Sequence, residues 1–187
     1  IQESMYASED FIEGPKAFNI NPKKMQPILD RYHLTITGHT DPCLPWAYPI
    51  KEIRKACLNE FERCADIFSA LGAKIMNIHP CYFCPPAMKP ALVELNIEGL
   101  KPIIEMTACH GLTVVLENYK TPFDRVTTFN SMLAEVPGLK VHLDFGHANM
   151  GADNHEVFCR RSRCSRQRCP ELVLGCRYYA QRGSKPP

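Results

Sequence analysis

No apolar run in the chain approaches the roughly 18 residues that a bilayer-spanning helix needs, which excludes an obvious membrane segment. No basic-then-apolar leader opens it either, so nothing points to secretion, and the expected setting is a reducing cytoplasm with mostly free thiols. The first residue is Ile1 rather than Met, which points to a missing beginning. No G-x-G-x-x-G follows any apolar run, which weakens a dinucleotide-binding reading. Ten Cys in 187 residues is too sparse for a small disulfide scaffold. Cys81 and Cys84 form an isolated C-x2-C with no second pair nearby, a weak signal for a zinc knuckle or redox motif. Trp46 is the only tryptophan.

With 45% hydrophobic and 22% charged residues, the chain can bury one sizeable core. Its net charge of +2 averages two unlike segments. Residues 1–158 carry 14 Lys and Arg against 19 Asp and Glu, a net −5, whereas residues 159–187 carry eight bases and one acid, a net +7.

Short apolar runs alternate with helical patterns. A helix is expected over about Pro22 to Tyr32, then a strand at Leu34-Thr35-Ile36-Thr37. Ile50, Ile53, Cys57, Phe61, Cys64, Phe68 and Leu71 recur every three or four residues, placing one stripe on a long helix that Gly72 stops. Lys74 to Ile78 reads as the next strand. After the breaks at Pro85, Pro86 and Pro90, a helix runs to His110, and Leu112 to Leu116 form another strand. A helix over Asp124 to Glu135 and a strand over Leu139 to Leu143 follow, and an earlier short strand is expected at Phe11-Ile12-Glu13. Repeated strand, helix and glycine is the pattern of βαβ units on a parallel sheet. Periodicity leaves a doubly wound sheet and a barrel both open.

The residues at the strand ends favour the barrel. The first strand runs into Gly38-His39, the next into Asn77-Ile78-His79-Pro80, the third into Glu117-Asn118, and the fourth into Asp144-Phe145-Gly146-His147. Side chains at the C-terminal ends of parallel strands share one mouth, where barrel enzymes keep their chemistry. Singly, each residue has a structural explanation: a hydrogen-bonded histidine, a Lys partner for Glu117, a helix cap for Asp144. Four successive strands ending this way point instead to a divalent-cation site.

The segments Ile78-His79-Pro80, Leu116-Glu117-Asn118-Tyr119 and Leu143-Asp144-Phe145-Gly146-His147-Ala148-Asn149 resemble the xylose isomerase-like TIM-barrel superfamily, over roughly Phe11 to His155. That group holds sugar and sugar-phosphate isomerases and epimerases, and the endonuclease IV-type enzymes that cut abasic DNA. In the isomerase branch the resemblance implies metal ligation by Glu117 and Asp144, with His147 contacting substrate or flanking the metal. In the endonuclease branch it implies zinc ligation by His39, His79, Glu117, Asp144 and His147. Both branches draw further ligands from later strands, yet nothing after Glu156-Val157-Phe158 resembles the expected sixth strand or its His. The fold expected is therefore an incomplete (β/α) TIM barrel of about five units of eight, with a domain over 1–158. The Arg/Cys-rich segment 159–187 reads as out of frame or truncated, and its charges lack the organisation of a nucleic-acid surface.

The expected activity is metal-dependent isomerisation or epimerisation of a sugar or sugar phosphate through an enediolate. Glu117 and His147 are the catalytic candidates, and Glu117, Asp144, His79 and His39 the metal candidates. His147, Trp46 and Asn118 are the substrate candidates. Trp46, in the proline-rich loop after His39, either walls a sugar pocket or packs onto the barrel rim. Mn²⁺, Mg²⁺, Co²⁺ or Zn²⁺ would serve, the imidazoles leaning towards Zn²⁺ or Mn²⁺. Zinc-dependent cleavage of abasic DNA is the rival, opposed by the acidic balance of residues 1–158. An inactive partial barrel, its open strand edges favouring self-association, is the third.

Overall fold

The computed structural model describes residues 22–150 and 172–175. The expected strand at Phe11-Ile12-Glu13 and most of segment 159–187 lie outside the described residues. The elements are α1 (Pro22–Arg31), β1 (Gly38–His39), α2 (Lys51–Ala70), β2 (Ile75–Ile78), a 3-10 turn (Pro86–Ala91) and α3 (Leu92–Cys109). They continue as β3 (Thr113–Glu117), α4 (Val126–Glu135), β4 (Lys140–Asp144), α5 (Phe145–Met150) and β5 (Leu172–Gly175).

The strands form one sheet in the order β1-β2-β3-β4-β5, every neighbouring pair parallel. Chain order and spatial order coincide. A doubly wound sheet reverses direction at a switch point, whereas a barrel winds steadily in one direction. The choice left open by periodicity therefore falls to the barrel type, of which the described residues supply five strands.

Strand periodicity of two sorts the side chains. Met76 and Ile78, Val114 and Leu116, and Val141 and Leu143 are buried in the core with Phe61 and Phe68 of α2, Leu100 and Ile103 of α3, and Phe129 and Met132 of α4. The alternate residues Asn77, Glu117, His142 and Asp144 occupy the other face of the sheet. The α2 stripe includes Cys57, Phe61 and Phe68, all buried as its spacing requires. Gly72, at φ +77°, takes the left-handed conformation that lets the chain leave this helix.

Two expectations need correction. The apolar run Leu34 to Thr37 is not a strand; pairing with β2 begins at Gly38. The reason is register: Gly38 pairs with Met76 and β2 begins at Ile75, so Leu34 to Ile36 fall opposite the turn that precedes β2. At Gly38 itself a Cβ would lie 2.2 Å from the Phe68 ring, so only a glycine lets the backbone approach α2 this closely. The sheet also extends past the fourth expected strand, because Leu172-Val173-Leu174-Gly175 pairs with Val141 to Asp144. The Arg and Cys residues around it hide this short apolar run in the composition.

Candidate functional site

Glu117, the last residue of β3, is the hub. Only 4% of it is exposed, and charged or polar side chains from three other strand ends converge on it. Its Oε2 lies 3.4 Å from His39 Nε2, 3.4 Å from His79 Nε2 and 3.2 Å from His142 Nδ1. Asn77 Nδ2 donates to the same oxygen at 2.5 Å. Oε1 faces His147 Nε2 at 3.5 Å. The register explains the convergence, since His39 pairs with Asn77 and Glu117 pairs with His142.

Protonation sharpens the picture. His39 Nδ1 is 2.8 Å from the Thr40 carbonyl, which can only accept, so Nδ1 carries a proton and Nε2 is the ring nitrogen that faces the site. Burial pushes His79 down to about 4, against the pull of Glu117, so that ring is neutral near pH 7. Burial by itself would raise Glu117, but the close His142 and His39 rings, with His79 beside them, outweigh it and hold the carboxyl well below its usual range. The two Nε2 atoms also face each other at 3.3 Å. One shared proton cannot serve all these contacts at once; a cation can.

Spacing agrees. Donors about 2.1 Å from a tetrahedral zinc stand roughly 3.4 Å apart, the separation found among His39, His79 and Glu117. Two overlapping donor groups fall within 4.8 Å limits, one of His39, His79 and Glu117, the other of Glu117, Asp144 and His147. The Thr40 carbonyl on His39 is the kind of outer hydrogen bond that orients a metal-binding imidazole. These residues fit a divalent cation.

Asp144 caps α5, its Oδ1 accepting from the His147 backbone N–H at 2.9 Å, so the structural and the ligand readings of this residue coexist. Asn118 is fully buried and grips the end of β4: its Nδ2 donates to the Asp144 carbonyl at 3.0 Å, and its Oδ1 accepts from the Asp144 N–H at 2.7 Å. Trp46 is 4% exposed, donates Nε1–H to the His79 carbonyl at 3.2 Å, and packs its ring at Gly99 of α3. Asn118 was expected to meet substrate, and Trp46 either to wall a sugar pocket or to pack onto the rim; the polar groups of both are engaged by protein backbone, at Asp144 and at His79. Cys81 is fully buried in the core, and no cysteine among the described residues joins a donor group.

Sequence reasoning missed His142, Asn77 and the aromatic wall. Each histidine or acid it chose lies at or beyond a strand end, while His142 and Asn77 sit within strands. Alternation was the available signal, because His142 precedes Asp144 by two residues and so shares its face. Tyr119 packs edge-on against His147 and His79, with ring centroids 4.6 and 5.2 Å away. Tyr82 braces the same loop, its hydroxyl bonded to the Lys120 backbone.

A sequentially ordered parallel sheet with metal-capable side chains gathered at its C-terminal strand ends defines a TIM-barrel-type protein with a candidate metal centre. The chain belongs to the xylose isomerase-like TIM barrel family, whose model matches residues 5–168. Among solved structures it is similar to a D-tagatose 3-epimerase-like protein, at 22% identity and a TM-score of 0.61, over 69% of this chain and 52% of that one. It is also similar to D-psicose 3-epimerase from Clostridium cellulolyticum H10, at 16% identity and a TM-score of 0.62, over 72% and 52%. A third is 3-keto-D-glucoside 4-epimerase from E. coli, at 16% identity and a TM-score of 0.65, over 83% and 64%. The matched region thus spans about half to two thirds of these structures. No curated protein matches the chain by sequence. Among the described residues no helix is long and apolar enough to cross a membrane.

Proposed function

We propose that this protein is a metal-dependent isomerase or epimerase of a sugar or sugar phosphate. The observation that carries the reading is Glu117, whose two oxygens serve two donor groups at the mouth of the sheet. That the similar structures are sugar epimerases supports the substrate class.

Glu117, Asp144, His79 and His39 would hold a divalent cation, Mn²⁺, Mg²⁺, Co²⁺ or Zn²⁺. Such an ion, when bound, supplies the polarisation of a carbonyl and its neighbouring hydroxyl that acidifies the C–H between them. The remaining work falls to the chain. Glu117 doubles as the base that takes and returns the carbon-bound proton, leaving an enediolate in between. His147, with about a quarter of its side chain exposed, orients a substrate oxygen. Tyr119 walls the site beside both histidines and limits the water around them. Asn118 fixes Asp144, and Trp46 fixes the backbone of His79.

The test is exchange of solvent deuterium into ketohexoses and their phosphates, read by NMR with each metal added to the full chain. The reading expects label beside the carbonyl that depends on metal and disappears in Glu117→Ala. No exchange with any of the four metals would sink it. A second reading, hydrolysis of abasic DNA, draws support from the His39–His79–Glu117 group, and cleavage of an abasic duplex with Zn²⁺ would establish it. The net −5 of residues 1–158 speaks against a duplex as substrate. Self-association through open strand edges, which the inactive partial-barrel reading expects, is read by analytical ultracentrifugation.

A further inference from the structure

His142 stands apart from the other histidines of the site. It belongs to neither donor group, yet its Nδ1 is 3.2 Å from Glu117 Oε2. It sits directly opposite Glu117 in the β3–β4 register, inside the strand rather than at its end. That nitrogen is buried and makes no well-formed hydrogen bond. From β2, on the other side of β3, Asn77 Nδ2 reaches the same oxygen, while Asn77 Oδ1 is likewise buried without a partner. Oε2 is thus flanked by a nitrogen from each neighbouring strand, and Oε1 is left towards His147.

We propose that His142 is a positioning residue for Glu117, acting with Asn77 to lock the carboxylate rotamer so that one oxygen is offered to each donor group. The proposal rests on the metal-centre reading above. It assigns His142 no contact with the cation or the substrate. A ligand carboxylate held by outer hydrogen bonds loses less freedom on binding, and removal of such a partner typically weakens metal affinity about 10–100-fold.

The experiment is titration of the full metal-free chain with Co²⁺, followed by calorimetry and by the visible absorption of the bound ion, for wild type, His142→Ala and His142→Asn. Asparagine can place its amide nitrogen near the position of Nδ1 and so can restore the contact to Oε2. The expected result is a loss of about 10–100-fold in affinity for His142→Ala, an altered cobalt spectrum, and recovery of most of the affinity in His142→Asn. Thermal melts of the metal-free variants identify any general loss of fold. Equal Co²⁺ affinity in all three proteins overturns the proposal. So does a loss that His142→Asn fails to recover while remaining as stable as wild type. If wild type itself binds no Co²⁺, the metal-centre reading fails first, and that result is distinct from either of the others.

Discussion

The two faces of strands β2, β3 and β4 carry opposite chemistries within the same few residues. Towards the helices lie Met76, Ile78, Val114, Leu116, Val141 and Leu143, each no more than 4% exposed. Between them in the chain stand Asn77, Glu117, His142 and Asp144. One face is apolar and holds the fold together through burial of area; the other gathers polar groups whose mutual demands are only partly met by protein. Adjacent residues should therefore be separable in their effects, stability following one parity and chemistry the other.

The neighbours Leu116 and Glu117 test that separation most severely. Glu117→Ala should abolish cation binding and reduce deuterium exchange by at least about 1000-fold, since it removes the carboxylate that gives one oxygen to each donor group. Its denaturant midpoint should move far less than that of Leu116→Ala. The latter opens a cavity in the core and should lose about 2–5 kcal/mol in chemical unfolding, while its folded fraction binds Co²⁺ normally. Equal losses of stability in the two variants would break the comparison.

Gly38 is where the faces meet, since it packs on Phe68 and precedes His39. Gly38→Ala forces either the ring or β1 to move and should lose about 1–3 kcal/mol, with weaker Co²⁺ binding as His39 shifts. A stability loss with unchanged binding would show that β1 can move without disturbing the site.

Acid should act on the polar face first. His79 titrates near 4 in the folded chain against 6.5 when free, so the unfolded chain takes up its proton first as pH falls. Stability of the metal-free protein should therefore decline from about pH 6.5 towards 4. Glu117, held below its ordinary 4.5, adds a further decline beneath that value, because the unfolded carboxylate again protonates first. Urea midpoints measured between pH 7 and pH 4 should show this slope in wild type and a flatter one in His79→Asn.

The smallest effect is expected at the cysteines. Burial pushes Cys57 up to about 11 and Cys64 up to about 12, so both should resist thiol reagents while exposed Cys43 and Cys109 react. Cys84→Ser should leave Co²⁺ affinity unchanged, and a loss there would restore a metal role for the C-x2-C pair.

Much of this arrangement is legible in the residues alone. The α2 stripe and the strand-end residues His39, His79, Glu117 and Asp144 follow from local periodicity, because helix and strand repeats fix which side chains share a face. Gly72 marks the end of α2 for a similarly local reason. What local pattern could not supply was the partner of each strand. The start of β1 at Gly38 follows from its pairing with Met76, the need for glycine there from the Phe68 ring thirty residues away, and β5 is recognisable through its pairing with Val141 to Asp144. The polar partners of Trp46 and Asn118 were hidden for the same reason, as each is a distant backbone group, at His79 and at Asp144. His142 gained its place opposite Glu117 through register, and register depends on how strands pair across the sheet rather than on residues near in sequence.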